Sequence, residues 1–122
     1  MIKAYYVLRQ DLGMTSAKRA VQVGHGTDFI HLNSASNPHY SAWLSEFNRR
    51  KVVLRIKDEG ALAALATLLN ENGIPYKEIR DAGLTEFNNV ETLTGIVVYP
   101  VPEVQLPKKF GRLQTWKDES GS

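Results

Sequence analysis

The sequence contains no cysteine and no long uninterrupted run of apolar residues. The absence of cysteine excludes a disulfide framework, a thiol nucleophile and a thiolate metal site. No apolar run approaches the ~18 residues that a membrane-spanning helix requires, and the first residues lack the pattern of a secretory signal peptide. We therefore expect a cytoplasmic protein that does not associate with membranes.

The sequence also lacks the short motifs of several common enzyme classes. It has no Gly-x-Ser-x-Gly nucleophile elbow, no phosphate-binding loop and no dinucleotide-binding fingerprint. Its three histidines, His25, His31 and His39, do not have the spacing of zinc proteases and have no helical glutamate partner. We therefore expect no metal ion and no cofactor.

Length and charge suggest one domain with an uneven distribution of charge along the chain. At 122 residues the chain is long enough for a single core, and we expect one domain over residues 1–117 followed by a frayed tail over 118–122. The net charge is +2, but the charges are unevenly distributed. Residues 1–57 contain nine Lys or Arg and three Asp or Glu, whereas residues 58–101 contain two Lys or Arg and seven Asp or Glu. Such a chain either presents a basic surface to a polyanion or pairs its basic elements with its acidic ones. The charge pattern leaves both interpretations open.

The periodicity of apolar residues predicts an α/β domain. Strands are predicted over residues 2–9, 52–56, 74–80 and 92–99, and helices over about 15–32, 38–47 and 61–69. Strands that alternate with helices are typical of a parallel sheet covered on both faces, which gives a three-layer α/β/α sandwich. The last two strands are joined by a loop too short for a crossover and should be antiparallel. We therefore expect a mixed sheet of about four strands, with the fourth strand ending at Pro100 and a short helix in the segment 103–116.

The first predicted helix, which Thr15 or Ser16 would cap, carries three polar side chains on one face. Lys18, Gln22 and His25 are spaced at i, i+4 and i+7 and therefore share one side of a helix. A cation, an amide and an imidazole in one stripe are typical of a functional site. Lys and Gln on a helix are nevertheless more often solvent-facing, and a single His is more often structural, so both interpretations stand.

Small residues lie beside that polar stripe. Ala17, Val21 and Gly24 occupy the neighbouring face of the same helix. Small side chains allow a helix to approach a sheet closely. We therefore expect this flank to be the face on which the helix packs.

A second group of polar residues follows the third predicted strand. Asp81, Gly83 and Thr85 place a carboxylate and a hydroxyl around a glycine. Ligands of open α/β sheets bind at the carboxyl ends of strands. The same residue types are also common in turns, so the segment taken alone predicts either a ligand site or a turn.

Taken together, these segments resemble the type-2 peptidyl-tRNA hydrolases, the archaeal and eukaryotic kind. The resemblance extends from Tyr5 to Pro100 and rests on Asp11-Leu12-x-Met14, on Lys18, Ala20, Gln22 and His25, on Arg80-Asp81-Ala82-Gly83 and Thr85, and on the strand entry at residues 50–54. Members of this family are similar in having a mixed sheet inside an α/β/α sandwich, which agrees with the order of elements predicted above.

The chain departs from the family pattern near these residues. The family generally has lysine at the position of Ser16, arginine at that of Leu84 and glutamine at that of Glu86. Val23-Gly24 replaces a Cys-Ser pair. The loss of cations would weaken phosphate contacts first.

The resemblance implies hydrolysis of the ester between a peptide and the 3′ ribose of tRNA, without a metal ion or a covalent intermediate. It implies that Lys18 neutralises the oxyanion or the terminal phosphate, and that Thr85 hydrogen-bonds the ester or the water. Gln22 and His25 would position the ribose or orient Asp81. Either Asp81 or His25 would activate the water, and the sequence does not choose between them.

The resemblance also implies a partner and a substrate-binding set. Peptidyl-tRNA is the expected partner, with Gln22, Asp11, Arg9 and Gly83 as substrate-binding residues, and a homodimer is a further expectation. The departures from the family pattern suggest an alternative, a non-catalytic RNA- or protein-binding module with the same fold. Because a binding module has no need for Lys18, Asp81 and Thr85 together, the enzyme is favoured.

Overall fold

The computed structural model describes residues 1–83 and 90–117. The order of strands and α-helices is β1 (Ile2–Arg9), α1 (Ser16–Leu32), α2 (Tyr40–Ser45), β2 (Lys51–Ile56), α3 (Glu59–Glu71), β3 (Tyr76–Asp81), β4 (Thr92–Pro102) and β5 (Gln114–Thr115). The expected tail over 118–122 lies outside the described residues. Within them, no helix is both long and apolar enough to cross a membrane.

The five strands form one mixed sheet in the order β3-β4-β1-β2-β5. Only β1 and β2 are parallel, and the other three neighbouring pairs are antiparallel. The predicted mixed sheet and the antiparallel β3–β4 pair are therefore confirmed, whereas the expected parallel centre consists of a single pair. β5 was not predicted, because a two-residue strand has no recognisable periodicity.

Helices cover both faces of the sheet. Successive side chains of β1 point to opposite faces, so Tyr5 and Val7 pack in a cluster with α3, whereas Tyr6 and Leu8 pack with α1 and α2. The first cluster includes three buried leucines of α3, Leu62, Leu65 and Leu69. The second includes Ile30 of α1 and Trp43 of α2. The three-layer α/β/α sandwich is confirmed.

The fourth strand does not end at Pro100, as the sequence had suggested, but continues to Pro102. Residues 3–5 of β1 stand opposite residues 98–101 of β4, so the ladder is irregular where Pro100 lies. A proline has no N–H to donate, and strands tolerate it at such a bulge. The tail then forms two 3₁₀ turns, Glu103–Gln105 and Phe110–Arg112, rather than a short α-helix.

The packing face of α1 is the polar stripe itself. The buried residues of this helix are Lys18, Gln22, Gly26 and Ile30, which repeat at i+4 and form one row. The expected packing flank is wrong, because Ala17, Val21 and Gly24 are exposed. One row of α1 therefore supplies both core contacts and polar side chains.

Gly26 explains how α1 approaches the sheet so closely. A Cβ at this position would lie 2.9 Å from the ring of Tyr6 and 3.1 Å from Val97. Only a glycine leaves room for the aromatic ring beneath the helix. This contact holds α1 close to β1 and β4.

The carboxyl ends of β1, β2 and β3 lie at one end of the sheet. β3 and β4 are antiparallel, as are β4 and β1, so Asp81 at the end of β3 and Arg9 at the end of β1 share that end with the beginning of β4. α1 begins at the same end, where the Thr15 side chain accepts a hydrogen bond from Lys18 N at 3.1 Å. The topology therefore gathers the predicted polar residues at one end of the domain.

Candidate active site

Lys18 and Asp81 form a buried ion pair between α1 and β3. Lys18 Nζ lies 3.0 Å from Asp81 Oδ2, and the two side chains are only 9% and 6% exposed. Lys18 comes from the first turn of α1, and Asp81 is the last residue of β3. The structure thus brings together the two predicted groups from distant parts of the chain.

Gln22 connects this pair to β4. Its Nε2 donates to Asp81 Oδ2 at 2.9 Å, and the Thr94 hydroxyl donates to Gln22 Oε1 at 2.8 Å. Gln22 and Thr94 are fully buried. Because a carboxylate only accepts hydrogen bonds, Nε2 must face Asp81, and this determines the orientation of the amide.

A tight turn after β3 holds the other carboxylate oxygen. Gly83 N donates to Asp81 Oδ1 at 2.8 Å. Gly83 has φ +79°, and a Cβ there would lie 2.1 Å from the carbonyl oxygen of Val90. The left-handed backbone and the close approach of Val90 both require glycine at this position.

These contacts keep Asp81 charged. Burial opposes ionisation, but the hydrogen bonds from Gln22, Gly83 and Lys18, together with the charge of Lys18, outweigh it and lower the pKa of Asp81 below its ordinary value. The side chain is therefore a carboxylate at neutral pH that already accepts three donors.

His25 lies at the exposed side of the cluster. Its Nε2 is 3.8 Å from Asp81 Oδ2, beyond hydrogen-bond distance, and its side chain is 43% exposed. His25 is thus the group of this cluster that solvent or a ligand reaches most readily. A buried cation, a fixed carboxylate and an accessible imidazole together provide the groups that ester hydrolysis requires.

Known proteins resemble this chain over nearly its whole length. The family model described as Peptidyl-tRNA hydrolase PTH2 matches residues 2–116. The chain belongs to this family. It is similar to the peptidyl-tRNA hydrolase of Thermococcus onnurineus, with 37% identity over 92% of this chain and 95% of that protein. It is also similar to the peptidyl-tRNA hydrolase of Methanopyrus kandleri, with 35% identity over 93% of this chain and 97% of that protein. The identity to the peptidyl-tRNA hydrolase of Methanocaldococcus jannaschii is 32%, over 93% of this chain and 98% of that protein.

The structure places Arg9 and Asp11 in a separate group from the cluster around Asp81. Two guanidinium nitrogens of Arg9 donate to the Asp11 carboxylate at 3.1 and 2.9 Å, and a third contact reaches Leu93 O at 2.9 Å. Arg9 also approaches Glu59, at the start of α3, to 3.7 Å. These contacts lie toward the face that α3 covers, whereas Asp81 contacts α1. The hydrogen bond from Arg9 is the largest influence on Asp11 and lowers its pKa.

Thr85, a predicted member of the site, lies outside the described residues, as do Leu84 and Glu86. Of the predicted set, Lys18, Gln22, Asp81 and Gly83 are in direct contact, with His25 at 3.8 Å.

Sequence analysis missed Thr94. Its side chain is fully buried, and its oxygen lies 2.8 Å from Gln22 Oε1 and 3.1 Å from Ile79 O. A threonine among the apolar residues of β4 is a weak signal, because β-branched residues are common in strands. Among the described residues, no group of three His, Cys, Asp or Glu side chains gathers to hold a metal ion.

Proposed function

We propose that this chain hydrolyses the ester between the peptide and the tRNA in peptidyl-tRNA. The observation that carries the proposal is the buried Lys18–Asp81 pair with the accessible His25 beside it, in a chain whose relatives are named peptidyl-tRNA hydrolases. A purely structural helix would have no reason to bury a cation and a carboxylate together at the exposed edge of a sheet, because such burial is costly.

Lys18 stabilises the negative charge that develops on the ester carbonyl oxygen. Its ammonium is already held in place by Asp81 at 3.0 Å, so little reorganisation is needed when the oxyanion forms. Asp81 acts through Lys18, and Gln22 and Gly83 act through Asp81. These last two are therefore positioning residues in this proposal.

His25 accepts the proton of the attacking water. Asp81 is the alternative base, but its lowered pKa and its three donors make it a weak one. His25 is more exposed than Asp81, and histidine is the side chain that most often acts as a general base. The carboxylate 3.8 Å away stabilises the imidazolium that forms when His25 accepts the proton.

The remaining predicted residues keep substrate-binding roles in the proposal. Arg9 and Asp11, at the same end of the sheet, would contact the tRNA end, and Thr85 would hydrogen-bond the ester or the water. Because translation supplies peptidyl-tRNA, the proposal also locates the protein in the cytoplasm. A homodimer is a further proposal. It is supported by large apolar side chains that are exposed, among them Leu32, Phe47 and Val104. Sedimentation velocity tests it.

The test is single-turnover hydrolysis of an N-acetylated aminoacyl-tRNA by the purified chain, with and without a chelator. We expect hydrolysis in both conditions. His25→Gln should abolish most of the activity, whereas His31→Gln, at an exposed histidine of the same helix, should leave the activity unchanged. Full activity of His25→Gln would indicate that Asp81, and not His25, accepts the proton of the attacking water. Binding of tRNA without hydrolysis would favour the non-catalytic binding module.

A further inference from the structure

β3, which ends at Asp81, lies at the edge of the described sheet. A groove with a volume of about 710 Å³ follows its outer side, with residues 74–78 and Arg80 along it. Phe29 of α1 forms one wall and Asn70 of α3 the other. The groove is therefore bounded by both helical layers, has the edge of the sheet as its floor, and follows the strand whose last residue is Asp81.

The backbone of β3 presents main-chain groups to this groove that pair with no other described residue. Tyr99 N donates to Pro75 O at 3.1 Å, so the main chain of Pro75 faces β4. Because main-chain groups alternate along an antiparallel strand, Lys77 also faces β4, whereas the N–H and C=O groups of Tyr76 and Glu78 face the groove. An extended chain placed there would find a row of donors and acceptors.

We propose that this groove binds the peptide part of peptidyl-tRNA as an additional strand beside β3. This inference rests on the proposed function. The ester is the C-terminal end of the peptide and would lie beside Asp81, the C-terminal end of β3. The peptide therefore runs parallel to β3, and its N-terminus points toward Tyr76.

This mode of binding suits a substrate that carries any amino-acid sequence. Addition of a strand to a sheet edge uses main-chain hydrogen bonds, which every peptide can form. The side chains along the groove include both charges, Lys77 and Glu78, both exposed, so neither charge on the peptide is selected. The six residues of β3, at ~3.3 Å each, accommodate a peptide of about five residues.

Substrates of different length test the proposal on the unmodified chain. tRNAs that carry N-acetylated peptides of about one, three, five and seven residues should show a kcat/KM that rises with length and then levels off at about five residues. N-methylation of single peptide amides should lower kcat/KM by about fivefold at every second position and leave the positions between unchanged, since only alternate amides face β3. A kcat/KM that is independent of both length and methylation would overturn the proposal.

A proline on the edge strand tests the same contact from the protein side. Glu78→Pro removes an N–H that faces the groove, and it leaves the hydrogen bonds to β4 intact, as edge strands allow. Its control, Glu78→Ala, loses the same ion pair with Arg80 but keeps the N–H. Only Glu78→Pro should raise KM for the five-residue substrate, by about fivefold, with kcat unchanged and the one-residue substrate unaffected. Equal KM values for the two variants would count against the groove.

The outcomes separate this proposal from the proposed function. If the rate of hydrolysis does not depend on peptide length, the proposed hydrolase function stands and the proposed peptide binding at the groove is rejected. If no substrate is hydrolysed, the proposed function fails, and the groove is tested by binding of peptidyl-tRNA with a stable 3′-amide linkage. Equal affinity for one-residue and five-residue forms would then reject it. If Glu78→Pro does not fold, the methylation series on the unmodified chain decides.

Discussion

Gln22 Nε2 and Asp81 Oδ2 are 2.9 Å apart, in a fully buried contact between residues 59 positions apart in the chain. The amide cannot rotate, because its oxygen accepts from the Thr94 hydroxyl on the other side. Asp81 thus receives a donor whose position is set by both α1 and β4. The carboxylate beside Lys18 is therefore held by contacts from α1 and from the turn at Gly83.

Removal of the Thr94 hydroxyl should loosen this arrangement. Thr94→Val leaves Gln22 Oε1 buried without this donor, and we expect the free energy of unfolding to fall by about 1–3 kcal/mol. The rate of hydrolysis should fall about tenfold, since Gln22 then orients Asp81 poorly. Thr94→Ser restores the hydroxyl and should recover most of the rate. Urea unfolding and single-turnover kinetics measure the two effects, and a Thr94→Val protein with wild-type kinetics would show that the amide does not need this support.

Lys18 and Asp81 should act as one unit in catalysis. Lys18→Met and Asp81→Asn should each lower the rate by roughly 10²-fold or more, and the double variant should be little worse than either single one. Because both side chains are buried, each single change should also cost about 3 kcal/mol of stability. Independent, multiplicative rate losses in the double variant would contradict a working pair.

Acid should destabilise the fold through Asp81. Its pKa is lowered in the folded chain, so the stabilisation it contributes is fully present above the ordinary aspartate pKa of about 3.9 and is lost as pH falls toward the folded-state value. Urea midpoints measured from neutral pH to about pH 3 should therefore fall less steeply in Asp81→Asn than in the unmodified chain. Asp11→Asn is the control: the pKa of Asp11 is also lowered, but its side chain is 38% exposed, so its pair with Arg9 should contribute less.

Two glycines with positive φ provide a matched test of the turn at Asp81. Gly13 (φ +62°) has open space where a Cβ would be, whereas at Gly83 (φ +79°) a Cβ would lie 2.1 Å from Val90 O. Gly13→Ala should cost only the backbone strain, about 1–2 kcal/mol. Gly83→Ala should cost more and also lower the hydrolytic rate, since the Gly83–Asp81 hydrogen bond moves. Equal effects on the melting temperature and the rate would show that the close approach of Val90 is relieved without cost.

Binding of tRNA should depend strongly on salt. If the basic excess in residues 1–57 contacts phosphates, affinity should fall at least tenfold between about 50 and 200 mM salt. Ser16 is exposed at the beginning of α1. Ser16→Lys should tighten tRNA binding roughly threefold and steepen its salt dependence, with kcat unchanged. Ser16→Ala controls for loss of the hydroxyl. Filter-binding titrations that are flat in salt would indicate that the basic residues pair within the protein.

The local elements could be predicted from sequence because their signals are local. The bounds of β1 and α1 follow from apolar periodicity and from the cap at Thr15, which acts on its own helix. The antiparallel pairing of β3 and β4 follows from the short connection between them. Even the residues of the cluster were identifiable, since Lys18, Gln22 and His25 share one helical side at any tertiary arrangement.

Only the tertiary structure decided what that helical side faces. Polar residues usually point to solvent, so the sequence predicted packing through Val21, yet the close approach at Gly26 turned the row of Lys18 and Gln22 toward the sheet. Thr94 became part of the site only because the order of strands put it beside that row. Burial, charge and the lowered pKa of Asp81 depend on neighbours far away in the chain. The sequence determined which groups were present, and the packing of α1 on the sheet determined that they meet out of water.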